Sequence, residues 1–409
     1  MLLYNYLKFR NNKGSLFIVL LFFFSLFARI PIILILGDVT LENEWGTMLY
    51  NLINHNTLSQ QKFGEILLPN LWLPPLYAYY LYILSFINFE NQDFVLLVLF
   101  TQAILASISV IIFYKLNKNF FSQKISFYGS LLFSLFPIYL YACSQISSAS
   151  LTIFLAILFY YYFFKITNNN KFIYIFIFSV IAGLLILVRR EFIAIIILSS
   201  FYLFFYFNIS FKNIFFIILI SLITISPYLV RNYLIFEKII IHSGFGYNLW
   251  QGNNPNSKVE GSEIIDSNFK NKIDKIPKDK FYRINEDKIY IDMTIKNIKN
   301  DPKKYLILYL KKTASYFFID LDSSRPNYYN PFHYLSNLLL AITSLIGIFL
   351  YDKKSYRLNY LILILLFYIF TFSIFAIQPR YKLYIVPFQI IFSNIFILHI
   401  MKKIFHHKS

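Results

Sequence analysis

The sequence has few charged residues and few residues that could cross-link the chain. Only 14% of its 409 residues are charged, against about 25% in soluble domains, which excludes an ordinary soluble protein. A single cysteine, Cys143, excludes an internal disulfide. The six histidines show no spacing typical of metal ligands, and the common nucleotide-binding, serine-hydrolase and zinc-protease motifs are missing. Any chemistry must therefore come from scattered carboxylates, arginines and aromatic residues.

Long apolar runs dominate what is present. Hydrophobic residues make up 58% of the chain and aromatic residues 21%, with a mean hydropathy of +0.57. Runs of about 20 residues recur, each long enough to cross a bilayer as a helix. The sequence therefore predicts an all-α, polytopic membrane protein with about ten crossings. The predicted spans are 15–36, 94–114, 125–142, 148–165, 171–188, 191–208, 211–230, 333–351, 358–377 and 383–401.

The net charge of +18 is spread over the connections between apolar runs, as the positive-inside bias predicts, and does not indicate a nucleic-acid partner. Basic connections place both termini in the cytoplasm, and run 15–36, which follows Lys8, Arg10 and Lys13, should stay as a signal anchor. If the apolar stretch 71–89 crossed the membrane, every later connection would change sides and the basic connections would face outward. We therefore expect a juxtamembrane helix there, beginning at Pro74 and Pro75.

This topology places segments 37–93 and 232–332 outside the membrane, with Glu65, Glu90 and Asp93 on that side. The helical pattern of 303–318 separates lysines, including Lys312, from an apolar arc that includes Leu306, and this favours a helix lying in the interface. The expected division is a transmembrane module over 1–232, an outer hydrophilic segment over 233–332, and C-terminal spans with a basic tail over 333–409.

The stretch "GDVTLENEWG" follows the first span and contains three carboxylates, Asp38, Glu42 and Glu44. Apolar residues from Trp45 onward recur at helical spacing, and Thr40 is suited to cap the helix. An amphipathic helix on the outer surface is therefore expected. Capping and the helix dipole can account for Glu42, and a loop position can account for Asp38. Glu44, at the border of the apolar face, is the first choice for a functional carboxylate.

Four arginines lie at the outer ends of predicted spans, where the positive-inside bias disfavours them: Arg189, Arg190, Arg231 and Arg380. Arginine donates two parallel hydrogen bonds and suits phosphate. Salt bridges to outer carboxylates, or contacts with lipid headgroups, remain the alternative for each. The segment "GFGYNLWQGNNPNS" (244–257) is typical of a turning loop whose amide and aromatic groups, Tyr247 and Trp250 among them, could contact a sugar.

Five stretches in order resemble the GT-C superfamily of membrane glycosyltransferases. The most similar branch is the one that includes protein O-mannosyltransferases and RgtA/B/C/D-like lipopolysaccharide glycosyltransferases. The stretches are "ENEWGTMLYNLI", "LPNLWLPPLYAYYLYILSF", "LLILVRREF", "SPYLVRNYLIF" with "GYNLWQGNNPN", and "QPRYKLYIVPF". The chain departs from the family pattern at Leu41, where many relatives have an acidic pair, at Arg190, where proline is usual, and at Tyr228, where tryptophan is usual.

The resemblance implies a sugar donor linked to polyprenyl phosphate, and an envelope glycan, lipid or protein as acceptor. It also implies action on the outer face of a bacterial plasma (inner) membrane. The base would be Glu44, with Asp38 or Glu42 as substitutes, acting in an inverting transfer. No cofactor is required, although a divalent metal occurs in the wider superfamily. The residues expected to bind substrate are Arg189, Arg190, Arg231, Asn232, Tyr247, Trp250, Asn253, Arg380 and Tyr381. A flippase or transporter of lipid-linked sugar is the alternative, since both classes are polytopic.

Overall fold

The computed structural model describes residues 2–63, 66–87 and 91–406. Glu65, Glu90, the end of the predicted helix at 88–89 and the last residues of the basic tail lie outside the described residues. The first elements are α1 (Leu2–Leu36), α2 (Glu44–His55), strands β1 (Gln61–Phe63) and β2 (Ile66–Leu68), α3 (Leu76–Ser85) and α4 (Asn91–Asn117). The strands pair antiparallel and form a small hairpin, which is a minor addition to the expected helices.

The remaining elements are helical. Next come α5 (Gln123–Leu135), α6 (Pro137–Ala142), α7 (Ala149–Asn168), α8 (Phe172–Val188), α9 (Phe192–Phe207) and α10 (Phe211–Phe236). The hydrophilic segment forms α11 (Phe245–Asn253), α12 (Ser267–Asp274), α13 (Tyr282–Asn300) and α14 (Pro302–Phe317). The chain continues with α15 (Pro331–Leu350), α16 (Tyr356–Phe372), a 3₁₀ helix (Pro379–Tyr384) and α17 (Val386–His406).

Among the described residues, five helices are long and apolar enough to cross a membrane. They are Ser15–Leu36, Asp93–Asn117, Ala149–Asn168, Phe211–Phe236 and Pro331–Leu350. Three shorter apolar helices, α8, α9 and α16, have 16 or 17 residues, close to the length that a hydrocarbon core requires. The chain is a multi-pass membrane protein, and ten crossings remain a prediction. Large apolar side chains exposed on α10, such as Phe215 and Ile223, face outward as lipid contacts require.

The predicted span 125–142 is wrong as a single helix. Phe136 adopts an extended conformation between α5 and α6, and Pro137 begins α6. Proline lacks an N–H and disfavours the helical conformation of the preceding residue, so the helix breaks there. The short α6 then leads into the turn at 143–148, and this break positions the candidate site.

The C-terminal helices α15 and α17 approach each other closely. A Cβ atom at Gly347 would lie 1.9 Å from the carbonyl oxygen of Phe392, so only glycine permits this approach. Because the 3₁₀ helix directly precedes α17, this packing holds it at one end of the bundle.

The two helices that follow α1, α2 and α3, are short and lie against the bundle. Helix α3 has ten residues, which span about 15 Å and cannot cross the hydrocarbon core. Helix α2 buries the apolar stripe that begins at Trp45, and Trp45 packs edge-on against Tyr77 of α3 at 4.8 Å. Thr40 does not cap α2. The helix begins at Glu44, and the Asn43 side chain accepts hydrogen bonds from the N–H groups of Trp45 and Gly46.

The stretch 244–257 is largely helical, so the prediction of a loop was wrong there. The side chain of Asp287, on α13, accepts hydrogen bonds from the N–H groups of Gly244 and Gly246 at 2.8 and 2.7 Å. This distant carboxylate satisfies the first turn of α11, as a local cap would. Trp250 then packs into an aromatic cluster with Phe269 and Tyr290. Sequence distance explains the error, since the cap is about 40 residues away.

Helix α14 matches the expected interfacial helix in its bounds but not in its polar face. Leu306 and Leu310 are exposed, as contact with the interface requires. Lys312, however, is fully buried, and its amine donates to the side-chain oxygen of Asn253 at 3.1 Å. Its assignment to the solvent-facing arc was therefore wrong. Burial lowers the pKa of Lys312 to about 7.

Because Lys312 is buried, the stability of the protein should depend on pH, and Lys312→Met should weaken this dependence. Between pH 7 and about 10.5 the unfolded chain keeps a proton on this lysine that the folded chain has lost. Wild-type stability should therefore rise with pH across that window, by at most about 1.4 kcal/mol per unit for this lysine. We expect a smaller rise of the unfolding temperature from pH 7 to 9 in Lys312→Met, measured in detergent. The exposed Lys303→Met, on the same helix, should keep the wild-type slope, and parallel slopes for both variants would contradict the assignment.

Candidate functional site

Asp38 lies just beyond the end of α1 and is held by the turn that follows α6. Its backbone N–H donates to the carbonyl of Ser144 at 3.0 Å. Its carboxylate oxygen Oδ2 accepts from the backbone N–H of Ile146 at 2.6 Å. The Asp38 side chain is half-buried, and no described donor binds its other carboxylate oxygen. One oxygen is thus fixed, and the other can meet a ligand.

The turn that holds Asp38 is itself fixed from inside the bundle. Gln102 on α4 donates to the carbonyl of Gln145 at 3.0 Å and accepts from the hydroxyl of Tyr77 at 2.9 Å. The Asn43 side chain donates to the carbonyl of Ile146 at 3.2 Å. The end of α1, the start of α2 and helix α3 therefore converge on one turn.

The other two carboxylates of this segment are differently placed. Glu42 and Glu44 are both exposed, and neither has a hydrogen bond or an ion pair within the described ranges. Glu44 occupies the first turn of α2, so the favourable interaction with the helix dipole that we assigned to Glu42 applies to Glu44 instead.

Arg189 lies in the turn between α8 and α9. Its guanidinium is 4.0 Å from the carboxylate of Glu191 and lies beside Tyr384 and Tyr381. Burial acts to lower the pKa of Arg189, but the neighbouring Tyr384 and Glu191 outweigh it and raise that pKa. The buried Nε atom has no partner in the described part of the chain. Arg189 thus retains donor capacity.

Arg190 points to a different neighbour. Its guanidinium lies 3.0 Å from Nδ1 of His242 and 5.7 Å from the ring centre of Phe245. Burial, together with the charge of Arg190, holds the pKa of His242 well below its usual value. His242 is therefore neutral near pH 7, and its ring nitrogen can accept the hydrogen bond.

Arg231 and Asn232 fasten the end of α10 to other segments. The Arg231 guanidinium donates to the carbonyls of Asn70 and Leu58, at 3.1 and 3.4 Å, and to the side chain of Asn232 at 2.7 Å. Asn232 is buried and donates to the carbonyl of Ile240 at 2.6 Å. Protein acceptors already occupy these donors.

The candidates in α11 also make internal contacts. Trp250 is 2% exposed, and Asn253 donates to the carbonyls of Leu249 and Ile374. Tyr247 is half-buried, and its ring packs edge-on against Trp72 at 5.0 Å. Of these three, only Tyr247 retains appreciable exposure.

The 3₁₀ helix carries Arg380 and Tyr381 at the same end of the bundle. Hydroxyls from two directions fix its backbone, since Tyr139 of α6 donates to the carbonyl of Leu383 at 2.7 Å and Tyr316 of α14 donates to that of Tyr381 at 3.0 Å. Arg380 is exposed, 5.8 Å from the ring centre of Tyr381, and has no carboxylate partner among the described residues.

Among the expected residues that keep unused hydrogen-bonding capacity, four are linked through one element: Asp38, Arg189, Arg380 and Tyr381. The exposed Glu42 and Glu44 are also unpaired within the described ranges. Helix α6 connects the four residues, because it leads into the turn that holds Asp38 and also binds the 3₁₀ helix. In the described ranges no group of three or more His, Cys, Asp or Glu side chains could hold a metal ion.

The sequence analysis missed Gln102, Tyr384 and Arg29. Arg29 is 1% exposed within α1 and donates to Ser25. A signal for Arg29 and Gln102 existed, because each is a polar residue inside an apolar run, where such residues need a partner or a task. Tyr384 gave no signal among 34 tyrosines.

Removing the support of Asp38 should destabilise the protein. Gln102→Leu leaves the carbonyl of Gln145 and the hydroxyl of Tyr77 without their partner, and unpaired buried groups cost about 1–3 kcal/mol each. We expect a clear drop in the unfolding temperature in detergent. Ser107→Ala, on the same helix, removes only a bond to its own helix and should change it little. Equal effects of the two substitutions would contradict the role of Gln102.

Comparison with known proteins adds two likenesses. Residues 73–230 match the family model of dolichyl-phosphate-mannose-protein mannosyltransferases. This match covers less than half of the chain, and it contains Arg189 and Arg190 but not Asp38 or Arg380. No curated protein sequence matches the chain.

The solved structures that resemble the chain include the oligosaccharyltransferase of Archaeoglobus fulgidus in three states. With a tethered acceptor peptide containing an NVT sequon, that structure gives a TM-score of 0.59 at 11% identity, over 94% of this chain and 50% of that one. The apo form gives 0.55 at 12% identity, over 96% and 51%, and the complex with zinc and sulfate gives 0.55 at 12%, over 94% and 49%. The chain thus spans about half the length of the oligosaccharyltransferase. The match to the mannosyltransferase family model over residues 73–230 and the fold shared with the oligosaccharyltransferase support the resemblance to the GT-C superfamily of membrane glycosyltransferases.

Proposed function

We propose that the protein transfers a sugar from a polyprenyl-phosphate-linked donor to an acceptor hydroxyl, at the outer face of a bacterial inner membrane and with inversion. The observation that carries this proposal is the Asp38 carboxylate, held by the Ile146 N–H at the end of the first span. Arg189, whose Nε is unpaired, and the exposed Arg380 lie around the same 3₁₀ helix. A positioned carboxylate together with guanidinium groups that keep spare donors suits transfer from a phosphate leaving group.

The chemistry needs only one carboxylate. The acceptor hydroxyl loses its proton to the base while its oxygen forms a bond to C1 of the sugar. The bond between C1 and the phosphate oxygen breaks, and its electron pair leaves with the phosphate. A glycosidase needs a second carboxylate to protonate its leaving oxygen, but a phosphate leaves as a stable anion. Attack from the face opposite the phosphate inverts the anomeric centre.

We assign the base to Asp38 in preference to Glu44 and Glu42. A general base must be held within hydrogen-bond reach of the proton that it removes. Asp38 is half-buried and anchored through one oxygen, whereas the other two carboxylates are exposed and free to rotate. Glu44 is the competing candidate because it also lies at the start of the outer segment.

In this proposal Arg189 and Arg380 bind the phosphate, and Tyr381 lies beside both guanidinium groups. Arg189 retains an unpaired Nε, and Arg380 is exposed, so both can donate to an incoming anion. Five other expected residues have structural roles instead, because their side chains bind or pack against other parts of the protein: Arg190, Arg231, Asn232, Trp250 and Asn253.

The proposed orientation places both termini in the cytoplasm and segments 37–93 and 232–332 outside. Helix α3 and the exposed leucines of α14 would flank the lipid tail of the donor, because α3 is apolar and Leu306 and Leu310 of α14 are exposed. Residues 1–232 would provide the base, and residues 333–409 would provide Arg380. The acceptor would be an envelope glycan, lipid or protein.

Asp38→Asn should abolish transfer. A positioned general base contributes about 10²–10⁴-fold to the rate, and the amide keeps the shape of the side chain but cannot take a proton. We expect a deletion strain complemented with Asp38→Asn to lack the sugar, measured by mass spectrometry of envelope glycans. Glu44→Gln and Glu42→Gln should restore it at equal protein amounts.

Three other outcomes would correct this proposal. Loss of the sugar with Glu44→Gln but not with Asp38→Asn moves the base to Glu44. A wild-type glycan in both variants removes the base assignment. A deletion strain that accumulates an inward-facing lipid-linked precursor indicates a flippase and contradicts the transferase.

A further inference from the structure

Helix α14 has one exposed face on which apolar and basic side chains lie next to each other. With 3.6 residues per turn, its exposed positions fall within one arc of about 160°. We name this arc the α14 face. It presents no carboxylate, and its large side chains are Lys303, Lys304, Leu306, Ile307, Leu310 and Lys311.

The apolar edge of the α14 face adjoins an exposed apolar surface of α16. Tyr309, which precedes that edge around the helix, donates through its hydroxyl to the carbonyl of Phe370 at 3.1 Å. Phe370 and Leu366 are 50% and 42% exposed on α16. Leu306 and Leu310, which come next around α14, are 60% and 58% exposed. The exposed apolar surface of α16 therefore continues onto α14.

The basic edge of the α14 face is the edge farthest from the two leucines, and Lys304 and Lys311 form it. Lys304 donates to the carbonyl of Pro255 at 2.8 Å, and this neutral partner leaves its charge uncompensated. The nearby carboxylate of Asp301 caps the start of α14 by accepting from the N–H of Lys304 at 3.0 Å. Within the described ranges neither these lysines nor Lys303 forms an ion pair.

An apolar edge that continues a span, with a basic edge beyond it, is the pattern of a helix at the boundary between hydrocarbon and headgroups. Lysines in such a position extend their ammonium groups to the headgroup phosphates. Zwitterionic headgroups have no net charge, whereas an anionic lipid attracts each nearby lysine. We propose that the α14 face binds anionic phospholipid in preference to zwitterionic phospholipid.

The size of the face favours a lipid over a protein as its occupant. A helix of 16 residues is about 24 Å long and about 10 Å across, which is far below the roughly 800 Å² per partner of a stable protein interface. A lipid headgroup with its upper acyl chain needs only one such edge. The proposal does not rest on the transferase function.

This lipid contact would also set the position of the 3₁₀ helix relative to the membrane surface. Tyr316, near the end of α14, donates to the carbonyl of Tyr381 in the 3₁₀ helix at 3.0 Å. An α14 held at the headgroups therefore holds the 3₁₀ helix at a fixed depth.

The experiment places a fluorescent probe in the middle of the α14 face. Ala314, which is exposed there, is replaced by cysteine and labelled with bimane in a Cys143→Ser background, because Cys143 is the one cysteine of the chain. The labelled full chain is placed in phosphatidylcholine nanodiscs, without donor. These contain a small fraction of phosphatidylglycerol or of phosphatidylcholine, brominated high in the acyl chains to quench the probe.

We expect brominated phosphatidylglycerol to occupy the face at least about tenfold more strongly than brominated phosphatidylcholine. Each lysine near an anionic surface contributes up to about fivefold. Lys303→Gln combined with Lys311→Gln should therefore lower this ratio at least about fivefold. The matched control, Lys270→Gln combined with Lys275→Gln, removes two exposed charges in and beside α12 and should keep the wild-type ratio.

Salt provides a second measurement that needs no substitution of a lysine. The ratio should fall between about 0.1 and 1 M salt, because the Debye length shrinks from about 10 to 3 Å. This arm keeps the proposal testable if the doubly substituted protein does not fold, judged by its size-exclusion profile.

Four outcomes would overturn the proposal. Equal quenching by the two brominated lipids removes the headgroup preference, and quenching by neither places the face in water or against a protein. A ratio that salt does not lower, or that both double variants lower equally, removes the role of the α14 lysines. Asp38→Asn should keep the wild-type ratio, so a failure of the transferase proposal leaves this one standing.

Discussion

The candidate site depends on the hydrogen bond from the Ile146 N–H to the carboxylate of Asp38. The same turn accepts the backbone N–H of Asp38 and the side-chain amide of Asn43, so it joins the end of the first span to the start of α2. A chain that leaves a membrane must satisfy its last backbone groups, and here a distant turn performs that task. Because Gln102 fixes that turn from within α4, one amide inside an apolar helix determines where the carboxylate lies.

The 3₁₀ helix is the second organising element. A helix of this kind is short, and its ends leave carbonyl groups that need donors. Tyr139 of α6 and Tyr316 of α14 donate hydrogen bonds to its carbonyl groups. Its own Lys382 donates to the carbonyl of Phe318, just beyond α14. This bracing sets which face of the helix meets Arg189. The proposed phosphate site therefore depends on the orientation of these six residues.

Local patterns predicted the helices but not their long-range partners. Hydropathy located the apolar helices, and helical spacing located the buried stripe of α2, because both depend on neighbouring residues. Asp287 caps α11 from α13, and Asn253 pairs with Lys312 on α14, so no local window could reveal a helix in the first case or a buried lysine in the second.

The site residues show the same limit. Asp38 and Glu44 were both visible as carboxylates beside a span, but their ranking required the position of Ile146, 108 residues away. The four arginines expected outside the membrane were visible as exceptions to the positive-inside bias. Which of them are free depends on contacts with carbonyls, a histidine and tyrosines that sequence does not reveal.

The arginines that make structural contacts, Arg190 and Arg231, also contribute positive charge to the proposed phosphate site. Arg190 binds a neutral histidine, and Arg231 binds carbonyls, and neither has a carboxylate within ion-pair distance in the described ranges. Neutral partners satisfy the donors of a guanidinium but do not cancel its charge. In the proposed function, the charge of these guanidinium groups attracts the phosphate of the donor before any contact forms. Structural contacts and anion attraction are compatible roles, and together they would account for arginines on the side of the membrane where the predicted topology disfavours them.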